Sequence, residues 1–262
     1  MNSNPIGVFD SGVGGLSVLQ ELRQLLPYED FIYFADSAYC PYGGKSPEVI
    51  RQRALAISKF LVYKGVKLIV VASNTTSASG LEALRDTLNI PVIGVEPAVK
   101  PAVALTKQGK VGVLATGVTL ASTRFSTLLD RFCDGIEVIT QPCPGLVEVV
   151  EAGDLDAARP LLNKYVLPLL DQGITTIVLG CTHYPFLRSL VKDLAGEGVL
   201  VIDSGEAVAK HTLSVLEQNQ ICKNDDIHGR EYFFTSGEIE DAGRVMGLLL
   251  KQSQLVVERV NI

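Results

Sequence analysis

Cys181, Thr182 and His183 interrupt an apolar run in "VLGCTHYPF", residues 178–186. A thiol at a strand end, just before a helix near Phe186, would lie in the field of the helix N-terminus, which favours the thiolate. His183, two positions on, could share a proton with a neighbouring group. The same letters also fit an inert buried cysteine followed by a capping threonine. An i, i+2 spacing does not by itself place the imidazole on the sulfur, as a cysteine hydrolase would require.

A second stretch, "VVASNTTSA" at 70–78, stops in the same way at Ser73, Asn74, Thr75 and Thr76. It carries a hydroxyl where the other carries a thiol. After the first apolar run, Asp10, Ser11 and the glycines 12, 14 and 15 form a turn exposing a carboxylate, a hydroxyl and backbone N–H groups. Such a turn suits an anion or an amino acid, or is simply a tight strand–helix turn capped by Asp10. "GVGG" is neither a dinucleotide fingerprint nor a P-loop. "PYGGKS" at 41–46 puts backbone donors and the Tyr42 hydroxyl after Asp36, and by itself reads as a structural turn. Thr116 and Thr119 are helix-cap candidates.

These residues must be held by strands and helices that alternate along nearly the whole chain. Strands are expected at 6–9, 31–35, 67–72, 91–95, 110–114, 137–141, 176–179, 200–202 and 231–234. Helices are expected at 16–26, 47–64, 79–88, 97–106, 122–131, 155–171, 207–217 and 238–250. Continuous β-branched runs such as "LIVVA" and "TIVLG" between helices predict an α/β fold with parallel sheets covered on both faces. An internal echo adds to this. "IGVFDSGVGGLSV" from Ile6 resembles "VGVLATGVTLAST" from Val111, and Ser73 and Cys181 occupy the same point of their strands at nearly the same spacing. Two related halves are expected, with Ser73 and Cys181 on opposite walls of one cleft at the carboxyl ends of the strands.

A chain of 262 residues can bury a large core or two medium ones, and 47% hydrophobic with 20% charged residues is the composition of a globular protein. A net charge of −6 argues against a nucleic-acid surface. No apolar run reaches membrane-spanning length, and the N-terminal residues lack the basic and apolar regions of a secretory signal. A cytoplasmic protein is the expectation. The five cysteines form no C-x-x-C pair and the three histidines are scattered, so the spacing supports neither a disulfide framework nor a metal site.

Taken together, "IGVFDSGVGGLSVL", "YFADSAYCPYGGKSPEVI", "NTTSA", "PVIGVEPA" and "GCTHYPFL" resemble the glutamate racemases of bacterial cell-wall synthesis, in order and over nearly the whole chain. The resemblance implies two similar α/β domains related by a pseudo-twofold, here 1–97 plus 206–262 and 98–205, with the tail packed back on the first. It implies interconversion of L- and D-glutamate for peptidoglycan, without cofactor or metal, by a homodimer that engages neither nucleic acid nor membrane. Two cysteines do the work in that family, one removing the α-proton and one returning a proton to the opposite face. A single group would mostly restore the original enantiomer.

Carried over by position, Cys181 matches the cysteine that acts on L-glutamate, while Asp10 and His183 match residues assisting the two thiols. Asp36 and Glu151, the latter in "VVEAG", match two further acids. Ser11, Tyr42, Gly43, Asn74, Thr75, Thr116, Thr119 and Thr182 match positions that hold the substrate. The departure is Ser73, where the family motif reads Cys-Asn-Thr, and a hydroxyl is a much poorer acid and base than a thiol. Three origins fit: an engineered Cys→Ser change, a natural one-cysteine member, or a serine assisted by Asp10. Slow racemisation is therefore expected. The alternatives are a one-cysteine, cofactor-free lyase that decarboxylates malonate-type acids, and a degenerate racemase that serves as a binding protein.

Overall fold

A computed structural model describes residues 2–133, 135–223 and 227–262. Residues 1, 134 and 224–226, which the expected domain ranges include, lie outside the described residues. The chain begins β1 (Ile6–Asp10), α1 (Leu16–Leu25), β2 (Phe31–Ala35), α2 (Pro47–Tyr63), β3 (Leu68–Val71), α3 (Asn74–Thr87), β4 (Val92–Gly94) and α4 (Val99–Leu105). It continues with β5 (Lys110–Ala115), α5 (Gly117–Leu120), α6 (Thr123–Phe132), β6 (Val138–Pro142), α7 (Leu146–Ala152), α8 (Arg159–Leu170), β7 (Ile174–Leu179), α9 (Arg188–Ala195) and β8 (Leu200–Ile202). It ends with α10 (Gly205–Gln218), β9 (Glu231–Thr235), α11 (Ile239–Leu250) and β10 (Val257–Arg259).

Two parallel sheets result, ordered β10-β9-β2-β1-β3-β4 and β6-β5-β7-β8. The second repeats the inner order of the first: β1, flanked by β2 and β3, corresponds to β5, flanked by β6 and β7. The internal echo is thus a repeated four-strand unit, and β9 and β10 extend only the first copy. The central strands are buried on both faces, which is why they read as unbroken apolar runs. Ile6 and Val8 face a core continuous with Leu114, Ile177 and Leu179 of the second sheet, while Phe9 faces a separate cluster with Ile69 and Val71. One shared core therefore joins the two sheets. Among the described residues, no helix is long and apolar enough to cross a membrane.

Some expected elements shift. The helical stretch at 155–171 opens as a 3-10 turn, Leu155–Ala158, before α8. The helix expected near Phe186 starts only at Arg188, behind the 3-10 turn Tyr184–Leu187, so no α-helix N-terminus directly follows Cys181. Helix α7 and strand β10 were not anticipated.

Asp36, just beyond β2, ties the C-terminal segment to the first sheet. Its fully buried carboxylate receives two bonds from Arg53, Nε to Oδ2 at 2.9 Å and Nη2 to Oδ1 at 2.7 Å, one from Ser236 Oγ at 2.7 Å and a short one from the Tyr42 hydroxyl. Arg53 Nη1 also donates to the Ile262 carbonyl at 2.5 Å. Asp36→Asn leaves the Arg53 guanidinium without its counter-charge and is expected to cost about 3–5 kcal/mol. That cost should appear as a lowered urea midpoint; an unchanged midpoint would contradict this role for the cluster.

Candidate active site

Parallel strands point their carboxyl ends the same way, and in both sheets the residues just past those ends are polar. They converge on a cavity of about 430 Å³. From the first sheet it is lined by Asp10 and Ser11 after β1, Tyr42 and Gly43 after β2, and Ser73, Asn74 and Thr75 after β3. From the second come Thr116 after β5, Cys143 after β6, and Cys181, Thr182 and His183 after β7. Ser73 and Cys181, at equivalent strand ends of the repeated unit, thus face one space.

On the first wall, Ser73 is the N-cap of α3, and its hydroxyl accepts a hydrogen bond from the Thr76 N–H at 3.3 Å. This explains locally why a buried strand ends in small polar residues. Asn74 beside it is buried, and its Nδ2 has no hydrogen-bond partner among the described residues, a donor facing a ligand space. Thr75 Oγ1 meets Thr116 Oγ1 at 3.1 Å, a direct polar contact between the two walls.

On the second wall, Cys181 Sγ lies 3.7 Å from His183 Nδ1, and His183 Nε2 lies 2.5 Å from Glu151 Oε1. The imidazole is held in place by close packing on the β1–α1 turn. A Cβ on Gly14 would overlap the His183 ring, and one on Gly12 would overlap the Glu151 carboxylate, which accepts the Val13 N–H at 2.7 Å. These two glycines give the turn its close approach to the second wall. Burial alone would lower the His183 pKa, but its hydrogen bonds to Cys181, Cys40 and Glu151 prevail and raise it well above the ordinary imidazole value. These hydrogen bonds favour the protonated imidazole, whose Nδ1 lies within reach of the sulfur.

Asp10 is buried below the cavity, accepting from the Ser11 N–H at 2.7 Å and the Thr182 hydroxyl at 3.1 Å. Burial lifts its pKa above the usual carboxylate range, against the opposing pull of His183, the Ser11 N–H and Ser73. The cavity thus offers a thiol with an imidazole on one side, a hydroxyl on the other, a carboxyl between, and amide and hydroxyl groups around. Such a set can bind a small anionic molecule and move a proton at a carbon next to a carboxylate.

Three of the expected residues do not line this cavity. Thr119 is buried and bonds to Thr116 at 3.0 Å, Asp36 is committed to Arg53, Tyr42 and Ser236, and Glu151 stands behind His183. Two cysteines that sequence reasoning set aside lie close by. Cys143 lines the cavity, and burial pushes its thiol pKa up, with Cys181 adding to the rise. Cys40 has its sulfur within 4.8 Å of donor atoms of His183 and Glu151, and burial pushes its thiol up to about 12. Both precede a proline just past a strand end ("YCPYGG", "PCPG"), the one signal that could have marked them.

Residues 6–212 match the Asp/Glu/Hydantoin racemase family. A glutamate racemase from Stutzerimonas stutzeri is 51% identical over 255 residues, covering 96% of this chain and 96% of that protein. The crystal structure of glutamate racemase isoform RacE1 from Bacillus anthracis superposes with a TM-score of 0.90 at 35% identity, covering 100% of this chain and 99% of the other. That of the Francisella tularensis glutamate racemase, in complex with D-glutamate, superposes with a TM-score of 0.86 at 31% identity, covering 100% and 98%. Strand-end residues from two repeated sheets, gathered on one cavity, accord with that kinship: the chain belongs to the Asp/Glu/Hydantoin racemase family, and within it to the glutamate racemases.

Proposed function

We propose that this chain binds glutamate between Ser73 and Cys181 and moves its α-proton on the Cys181 side, while Ser73 makes the opposite transfer slow. The observation that carries this reading is the placement of the two residues at equivalent strand ends facing one cavity. With L-glutamate bound, Cys181 acts as the thiolate, takes the α-proton to become the thiol, and passes that proton to solvent by exchange through His183, which Glu151 holds in position. The carbanion is stabilised by donors to the substrate carboxylates, for which Ser11, Asn74, Thr75, Thr116 and Thr182 supply side chains and Tyr42–Gly43 the backbone. Reprotonation from the other face falls to Ser73, whose hydroxyl lacks a thiol's acidity. Asp10, placed between, is the residue that would assist it. Thr119 and Asp36 act through Thr116 and Tyr42.

The same reading divides the chain as 1–97 plus 206–262 and 98–205, and includes a homodimer and a role in supplying D-glutamate for peptidoglycan. It places the protein in the cytoplasm, where a reducing environment suits five unpaired cysteines.

Incubation with L-glutamate in deuterated water tests the reading. Deuterium should enter the α-position with retained configuration, and D-glutamate should accumulate slowly. Ser73→Cys should raise racemisation by about 100-fold or more, the usual worth of a positioned acid–base group. Full-rate racemisation by the unaltered chain would refute the assignment to Ser73. No gain in Ser73→Cys, together with carbon dioxide release from an arylmalonate, would point to the lyase instead; no exchange at all would leave a binding protein. Sedimentation of the purified chain reads the dimer directly.

Gly14→Ala addresses the positioning of His183. The added methyl displaces the ring, and exchange at L-glutamate should fall about 100-fold, the scale of an ångström's misplacement. Unchanged exchange would remove His183 from the transfer.

A further inference from the structure

Behind His183 lies a second cavity, of about 470 Å³, lined by Cys40, Glu151, Glu238 and Asp241 among others. Pro41, Val147 and Glu148 line both cavities and separate them. At this partition three donor atoms, one each from Cys40, Glu151 and His183, lie within 4.8 Å of one another. We propose that Cys40, Glu151 and His183 form a zinc-binding site, entered through the second cavity rather than through the substrate cavity.

The donor set selects the ion. One sulfur, one imidazole nitrogen and one carboxylate oxygen suit zinc better than magnesium or calcium, which take oxygen shells. Bond lengths of about 2.3 Å to sulfur and about 2.0–2.2 Å to nitrogen and oxygen require the three atoms to rearrange around the ion, with the His183 nitrogen and the Glu151 oxygen, 2.5 Å apart, moving away from each other. Side-chain rotation about Cys40 and Glu151, both only partly buried, accomplishes that as the His183–Glu151 hydrogen bond opens. The fourth tetrahedral position is left to water. The second cavity's lining is acidic, with Glu148, Glu238 and Asp241 against Arg259, itself paired with Glu238 at 2.8 Å, and so draws in a divalent cation. Binding releases the thiol proton of Cys40 and the proton between His183 and Glu151 to solvent. No redox change is involved.

The site stands on geometry and donor chemistry alone. Its consequence, inhibition, rests on the proposed function, because zinc takes from Cys181 the imidazole that lies beside it. Titration of the purified chain with cobalt(II), a coloured substitute for zinc, tests the two separately. One equivalent should give a thiolate-to-cobalt charge-transfer band and intense visible bands of tetrahedral cobalt, both lost when zinc is added. Cys40→Ser should abolish the charge-transfer band and lower zinc affinity by more than about 100-fold, since even outer partners of a metal ligand cost 10–100-fold. Glu151→Gln should weaken zinc binding by about tenfold or more on the same scale; Cys181→Ser should leave the band in place. Absence of the band, its persistence in Cys40→Ser, or its loss in Cys181→Ser would each overturn the site. If cobalt and zinc bind as expected but zinc does not slow deuterium exchange at L-glutamate, the site stands and the role given to His183 falls.

Discussion

The organisation of this molecule depends on the burial of its parallel strands on both faces. A strand covered by helices above and below has no solvent along its length, so its side chains are apolar and its polar chemistry is deferred to the carboxyl end. There the backbone emerges into a turn, and Asp10, Ser73, Thr116 and Cys181 take up that position on β1, β3, β5 and β7. Because the two sheets repeat one strand order, these ends come as matched pairs. The shared core that joins Ile6 and Val8 to Leu114 and Leu179 then sets the matched ends against each other.

This explains which parts could be read from the letters. Ser73, Asn74, Thr75, Cys181, Thr182 and His183 were legible because each breaks an apolar run at a point where local sequence already requires a turn. Glu151 was reachable only by resemblance, and Cys40 only by the proline that follows it. Their meeting with His183 depends on how α7 and the segment after β2 lie against the β1–α1 turn, and on Gly12 and Gly14 leaving room. Helix α7 escaped notice because it is only seven residues between two left-handed glycines, Gly145 and Gly153, too short for a helical period to show. Strand β10, three residues long and half exposed, carries little of the apolar pattern by which buried strands are recognised.

His183 is the point where these observations meet. One ring nitrogen faces the thiol of the substrate cavity and the other a carboxylate that lines the second cavity. An imidazole in that position is accessible to two chemistries from two directions, and what it holds on one side limits what it can do on the other. The cysteine count, unpromising while the cysteines are read as a linear series, acquires meaning once three of them, 40, 143 and 181, prove to stand around one histidine and its cavity.

The closing of the first sheet by β9 and β10 has a consequence for synthesis. The outer edge of β2 pairs with residues 231–235, and β9 in turn with β10, so the sheet begun by the first strand is completed by the last. The four strands of the second sheet are all complete in the chain by residue 202, ahead of β9. During translation the later sheet can therefore finish before the earlier one, while β2 waits with an open edge capable of pairing with another chain.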